Sequence, residues 1–223
     1  MPHLPYVLQE VVRPLRVLAA CGMLCVTMAM AAAPAALDRA DAAAGHAKAD
    51  NERCTECHVP HDPTTAQPDG ALHALLAGQS ADYLAKQMRD FRSGAREHAV
   101  MTVISRNLDD GDLADILAWY ASQPWRAGAN AAPDVAVQRL YTEGDPARGI
   151  VACVTCHGGL GQPPAAGDMP RIAGQDAAYL ATQLQYWRNG YRSNSAGGVM
   201  SVFARPLTNI EIQALATSIA AMK

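Results

Sequence analysis

Two short stretches hold the side chains best equipped for chemistry. Cys54, Cys57 and His58 stand in "CTECH"; Cys153, Cys156 and His157 stand in "CVTCH", 99 residues further on. Each sets two thiols three residues apart and follows them at once with an imidazole. Such groups bind metals, cycle between dithiol and disulfide, or anchor a cofactor. A four-cysteine zinc site requires no histidine after each pair, and zinc ribbons keep their pairs within roughly a few tens of residues. A redox-active CxxC belongs beside a strand–helix–strand pattern, and no alternating strand signal is present.

The remaining reading of C-x-x-C-H is covalent attachment of c-type haem. Two thiols three apart, at the start of a helix, can reach the two vinyl groups on one side of a porphyrin and form thioethers. The adjacent histidine then lies under the ring and gives its imidazole to iron. Cys54, Cys57, Cys153 and Cys156 are therefore expected to bind two haem c groups, with His58 and His157 as iron ligands.

The sixth ligand should recur at matching places, because the chain is written twice. "LAGQSADYLAKQMRDFRSGAR" (76–96) aligns with "IAGQDAAYLATQLQYWRNGYR" (172–192) at an offset of 96. The CxxCH units, and Met101 with Met200, sit at an offset of 99. Both methionines follow their haem histidine by 43 residues, in loop-like text before the last helix. The second unit has no histidine besides His157. His/Met ligation is thus expected, His58 with Met101 and His157 with Met200. Met169 competes in the second unit but has no twin; His98 is the rival in the first. His61 and His73 read as surface residues.

The elements that must position these groups are helical. A segment starting at Ser80 places Leu84, Met88 and Phe91 at helical spacing and meets a C-cap at Gly94. Its twin carries Leu180, Leu184 and Trp187 and stops at Gly190. A further helix begins near Asp109, an N-cap residue followed by acids, with Leu113, Ile116, Leu117 and Tyr120 on one face; its twin begins at Thr208. The stretches 41–55 and 134–142 also read as helical. The fold class is all-α: two tandem helical domains related by duplication, at 36–122 and 134–223, joined by a linker at 123–133.

Residues 1–35 read as a secretory signal. Arg13 and Arg16 precede an uncharged run at 17–33, and Ala33-Pro34-Ala35 offers a cleavage site. Retention of the run as an anchor stays open. Cys21 and Cys25 leave with the signal, so all four remaining cysteines belong to the CxxCH pairs. Half of the residues are apolar, yet the 223-residue chain has two Phe and three Trp. Alanine buries little area, so a large apolar cofactor is expected to complete the core. The formal charge of −3 gives no electrostatic case for nucleic-acid binding. Residues 36–128 hold fourteen acids against nine bases, and 129–223 six against seven. That asymmetry reads as solvated surface or as a device that orients the protein between partners. Arg92, Arg96, Arg188 and Arg192 read as propionate partners or as helix-end cations.

"CVTCHGG", "PRIAGQDAAYLATQLQYWRNGYR" and Met200 resemble the dihaem cytochrome c4 family, and the likeness covers nearly the whole chain after the signal. The first unit departs from the pattern: Val59 stands where the family has glycine, and Ala74 where it has the proline matched by Pro170. In the family that proline's carbonyl accepts a hydrogen bond from the haem histidine. The resemblance implies two tandem all-α class I cytochrome c domains, their haems facing each other, with electrons passing between them. Met/His ligation raises haem potential, and six-coordinate iron offers no site for O₂ or peroxide. The expected function is a periplasmic electron carrier, not an enzyme. Its partners would be redox proteins such as a membrane terminal oxidase, a cytochrome bc1-type complex or a dehydrogenase, with peripheral membrane association left open. The alternative is a cytochrome subunit of a flavoprotein or molybdenum dehydrogenase complex. A haem peroxidase or gas sensor would need an open iron in one unit.

Overall fold

The structure, a computed structural model, describes residues 37–58, 73–125, 128–129, 134–162 and 167–223. The expected signal at 1–35, His61, Val59 and most of the expected linker lie outside the described residues. Among the described residues regular structure is helical, apart from one isolated antiparallel bridge between Asp145 and Ile150.

In the first half, α1 (Ala42–Asn51) is capped by Asp41, whose carboxylate accepts from the Ala43 and Ala44 N–H groups. The short α2 (Cys54–Cys57) follows. Helix α3 (Ala81–Ser93) opens at the expected cap, Ser80, and closes at Gly94, whose φ of 83° is natural for glycine. Helices α4 (Met101–Asn107) and α5 (Asp110–Ser122) complete the set, and Asp109 caps α5 as its acids suggested. The second half runs α6 (Val135–Glu143), α7 (Val154–His157), α8 (Ala177–Asn189), α9 (Val199–Ala204) and α10 (Asn209–Ala220). Thr208 and Glu211 form a reciprocal capping box at the start of α10. Gly190 ends α8 as Gly94 ends α3.

One expectation is corrected. Met101 and Met200 stand in the first turns of α4 and α9, not in loops. Helices of six and seven residues are too short for an apolar period to show in sequence. Local bonds start them instead. The Met101 N–H donates to His98 Nδ1 at 3.3 Å, and the Met200 N–H donates to Ser195 Oγ at 3.1 Å.

Two apolar cores form, one per half. Leu84, Met88, Phe91, Ile116, Leu117 and Tyr120 lead the first; Leu140, Tyr141, Leu180, Ile212, Leu215 and Ile219 lead the second. In the first, α1 packs on α5 so closely that a Cβ on Gly45 would stand 2.1 Å from the Asp115 carbonyl oxygen. In the second, α10 packs on α8 and α6. These pairs hold the ends of each half together around its CxxCH turn.

Candidate functional site

Each CxxCH is one turn of helix. The His58 N–H donates to the Cys54 carbonyl at 2.8 Å, and the His157 N–H to the Cys153 carbonyl at 2.9 Å. Such an i to i+4 bond puts residues i, i+3 and i+4 on one face. Both thiols and the imidazole of each unit therefore share a side, as attachment to one porphyrin requires. The four thiols are free and half-buried. Burial pushes the Cys54 and Cys153 thiols up to about 11, so neither is the ready thiolate a redox dithiol needs. Among the described residues no three His, Cys, Asp or Glu side chains converge as a metal site would demand, so the two pairs do not build a joint zinc centre.

Both imidazoles are oriented from behind. His58 Nδ1 lies 2.8 Å from the Ala74 carbonyl and His157 Nδ1 lies 3.1 Å from the Pro170 carbonyl. A carbonyl only accepts, so Nδ1 carries the proton and Nε2 keeps its lone pair for iron. Burial holds His58 at about 4 and lowers His157 as well; both are neutral near pH 7, the form that ligates. The substitution of Ala74 for proline therefore leaves this bond intact, since the acceptor is a backbone group.

Two buried tyrosines support the same turns; the sequence placed Tyr120 on a helix face but assigned neither tyrosine this bond. Tyr120 on α5 donates to the His58 carbonyl at 2.9 Å; Tyr141 on α6 donates to the Gly158 carbonyl at 2.7 Å. Each is 1% exposed. They come from different helices of the duplicated unit, so the repeat could not reveal them.

The methionines are less uniform. Met101 and Cys54 pack against the same first core. Met200 is half-buried at the start of α9, and Cys153 and Trp187 pack on the second core. Met169 is 46% exposed. His98 has its Nδ1 engaged by the Met101 N–H, and its own N–H donates to Thr102 Oγ1 at 3.1 Å.

A pseudo-twofold seam joins the two halves. Arg96 donates to Gln87 at 2.7 Å, to Gln183 at 3.0 Å and to the Tyr179 hydroxyl at 3.2 Å. Its twin Arg192 donates to Gln183 at 2.7 Å, Gln87 at 3.1 Å and the Tyr83 hydroxyl at 3.3 Å. Each guanidinium also lies over an aromatic ring, Arg96 over Phe91 and Arg192 over Trp187 at 3.8 Å. Arg192 is 5% exposed, and burial lowers its pKa. Among the described residues neither arginine has a carboxylate within salt-bridge reach. Two like charges among neutral amides and phenols call for an anion. The Trp187 Nε1 is likewise buried without a partner. A porphyrin's two propionates would answer these needs, so the residues fit a haem. Arg92 and Arg188 are committed elsewhere: Arg92 to Asp110 and the Ser105 and Leu108 carbonyls, Arg188 to Asn209 and the Leu207 carbonyl.

No protein-family model matches the chain. It is 40% identical over 182 residues to cytochrome c4 of Pseudomonas aeruginosa, covering 80% of this chain and 87% of that protein. It is 38% identical over 170 residues to a thiosulfate dehydrogenase electron acceptor of Stutzerimonas stutzeri, covering 74% of this chain and 78% of that protein. The crystal structure of reduced recombinant cytochrome c4 from Pseudomonas stutzeri superposes with a TM-score of 0.69 at 31% identity, covering 82% of this chain and all of that one.

Proposed function

This chain belongs to the cytochrome c4 family, and on that premise we propose how its residues divide the work. It is a dihaem c-type cytochrome that carries electrons. Cys54 and Cys57 hold one haem c and Cys153 and Cys156 the other, through thioethers. His58 with Met101, and His157 with Met200, are the iron ligands. Bound haem supplies a one-electron Fe(III)/Fe(II) couple. The chain's part is to hold ligand geometry constant between the two states. The Nδ1 bonds to Ala74 and Pro170 lock each imidazole, and Tyr120 and Tyr141 hold the carbonyls beside them. Arg96 and Arg192 hold the haem carboxylates at the seam, with the Trp187 Nε1 as a further donor in the second unit.

The domain limits proposed are 36–122 and 134–223, with 123–133 between them and 1–35 as an export signal to the periplasm. No helix among the described residues is long and apolar enough to cross a membrane. The partners proposed are respiratory: a cytochrome bc1-type complex or a dehydrogenase as donor, and a membrane terminal oxidase as acceptor. The similarity to a thiosulfate dehydrogenase electron acceptor favours a dehydrogenase donor as the second reading, with this chain as a non-catalytic electron-accepting partner.

The single observation that carries the assignment is the paired fixing of both CxxCH histidines by Nδ1, which leaves two Nε2 atoms for two irons. Mass measurement of denatured protein tests the cofactor content: the chain should weigh two haems more than its polypeptide and keep its colour. A redox titration should then resolve two one-electron waves, and exposure of the reduced protein to carbon monoxide should leave the spectrum unchanged. An added carbon monoxide band would place an open iron in one unit and reject the carrier reading for it.

A further inference from the structure

The bonds that orient the histidines continue past the carbonyls. The Ala74 carbonyl belongs to the same peptide group as the Leu75 N–H, and that N–H donates to Gln175 Oε1 of the second unit at 3.0 Å. The Pro170 carbonyl shares its peptide group with the Arg171 N–H, which donates to Gln79 Oε1 of the first unit at 2.9 Å. Each amide returns a second bond across the seam. Gln175 Nε2 donates to the Leu75 carbonyl at 3.1 Å, and Gln79 Nε2 to the Arg171 carbonyl at 2.9 Å. That reciprocity fixes which end of each amide is the oxygen. Each Oε1 also accepts from the residue that follows it, Ser80 at 3.1 Å and Asp176 at 3.0 Å. Gln79 and Gln175 are 4% and 5% exposed. Buried, doubly bonded amides of this kind have little freedom to reorient.

A peptide group polarises as a whole. When its N–H is drawn toward a strong acceptor, its carbonyl oxygen gains negative charge and accepts more strongly, and chains of such bonds reinforce one another. A stronger acceptor at Nδ1 makes an imidazole a better donor through Nε2. We propose that Gln79 and Gln175 are positioning residues that act crosswise: Gln175 of the second unit tunes His58, and Gln79 of the first unit tunes His157. A seam that merely glued the halves would need polar contacts anywhere along it. Here the contacts fall on the one peptide group in each unit that orients a CxxCH histidine, and they do so twice. The two irons are thereby coupled through the protein, and a change in how the halves sit together changes ligand strength on both sides. This inference rests on His58 and His157 being the iron ligands.

The crossing makes the inference testable on the holoprotein. In Gln175→Leu the Nδ1–H of His58, followed by NMR in protein carrying ¹⁵N-histidine, should shift and exchange faster with water. The potential of the haem on Cys54 and Cys57, tracked by its assigned methyl resonances, should rise. The His157 proton and the haem on Cys153 and Cys156 should move far less, although Gln175 belongs to their unit. Gln175→Glu keeps an acceptor for the Leu75 N–H, with its second oxygen protonated to donate to the Leu75 carbonyl as Nε2 does, so it should leave the first haem's potential closer to wild type than Gln175→Leu does. Gln79→Leu should give the mirror image, and it carries the same test if Gln175→Leu fails to fold. If each Leu variant alters the histidine of its own unit, or alters both equally, the crosswise role is wrong. Wild-type protein with fewer than two haems by mass would overturn the attachment reading itself, and this inference with it.

Discussion

In the second unit the chain leaves His157 through Gly158, at φ 75°, and turns so tightly that a Cβ there would stand 2.1 Å from the Gln162 carbonyl oxygen. In the first unit the residue after the haem histidine is Val59, and the chain is three residues longer before Gly78. The approach to the cysteines differs too. Arg53, with φ 60°, leads directly from α1 into Cys54, whereas a 3₁₀ turn at Pro146–Arg148 and the Asp145–Ile150 bridge separate α6 from Cys153. Yet the groups that face the haem histidine are alike: a backbone carbonyl at Nδ1 and a tyrosine on the carbonyl beside the turn. Functions carried by backbone atoms survive side-chain replacement, as at Ala74 and Pro170, and functions carried by a hydroxyl can be supplied from a different helix. The two units have kept the bonding around His58 and His157 while their scaffolding diverged.

The largest test of that equivalence removes the anchors. Cys54→Ala with Cys57→Ala, and Cys153→Ala with Cys156→Ala, should each leave one haem by mass instead of two. The chain is aromatic-poor, and the cofactor is expected to complete each core, so each variant should also lose helical circular dichroism from the affected half. If one half keeps its helices without haem, the two cores are not equally dependent on the cofactor.

Next come the two methionines proposed as ligands. Met200→Ala should abolish the long-wavelength sulfur-to-iron absorption of the second haem and lower its potential, while the covalent haem remains. Met101→Ala should do so in the first, with His98 as the replacement ligand to test, so Met101→Ala with His98→Ala should differ from Met101→Ala alone. An unchanged band in Met200→Ala would move the ligand to Met169, despite its exposure.

The seam arginines separate the units on a smaller scale. If haem carboxylates pair with Arg192, Arg192→Leu should destabilise the holoprotein by roughly 3–5 kcal/mol, the cost of orphaning a buried charge partner. Chemical denaturation measures it. If no anion pairs there, the same change should cost only the bonds Arg192 gives to Gln183, Gln87 and the Tyr83 hydroxyl, roughly 1–3 kcal/mol. Arg96, less buried than Arg192, should show the smaller loss.

Gly158→Val should cost more than the roughly 1–3 kcal/mol of a positive φ imposed on a branched residue, because its Cβ would also be driven against the Gln162 carbonyl. Val59→Gly should bring no comparable gain in the first, where the native residue is already valine. Thermal melts of the two variants check the pair.

The smallest expected effect is a pH dependence in the second unit. Glu211 is held down at about 2, chiefly by Arg148, whose guanidinium meets both its oxygens at 2.6 and 3.1 Å. A carboxylate depressed in the folded state stabilises above its ordinary value and loses that stabilisation as pH falls toward the depressed one. Stability of the wild type should therefore decline through that acid window more steeply than that of Glu211→Gln, as acid titration of the fold would record.

The linear order of residues was sufficient for whatever is local or repeated. Ser80, Gly94, Asp109 and Thr208 declare helix ends because their side chains or φ angles satisfy groups within four residues. CxxCH declares its use because its three groups fall on one face of a single turn. The duplication singled out Met101 and Met200 as the proposed ligands, because a ligand needed by both units should recur at equal spacing. Folding decided what depends on residues far apart in the chain. Tyr120 and Tyr141 reach their carbonyls from different helices, so no repeat marks them. Arg92 and Arg96, four residues apart on either side of the Gly94 helix end, looked interchangeable; packing sent Arg92 to the α4–α5 corner and Arg96 to the seam. The crossing of Gln79 and Gln175 spans 92 and 100 residues, and glutamine in an A-G-Q run has no local signature for it. Hydrogen bonds between distant residues are set by how whole helices pack, and packing is a property of the assembled halves rather than of any window of sequence.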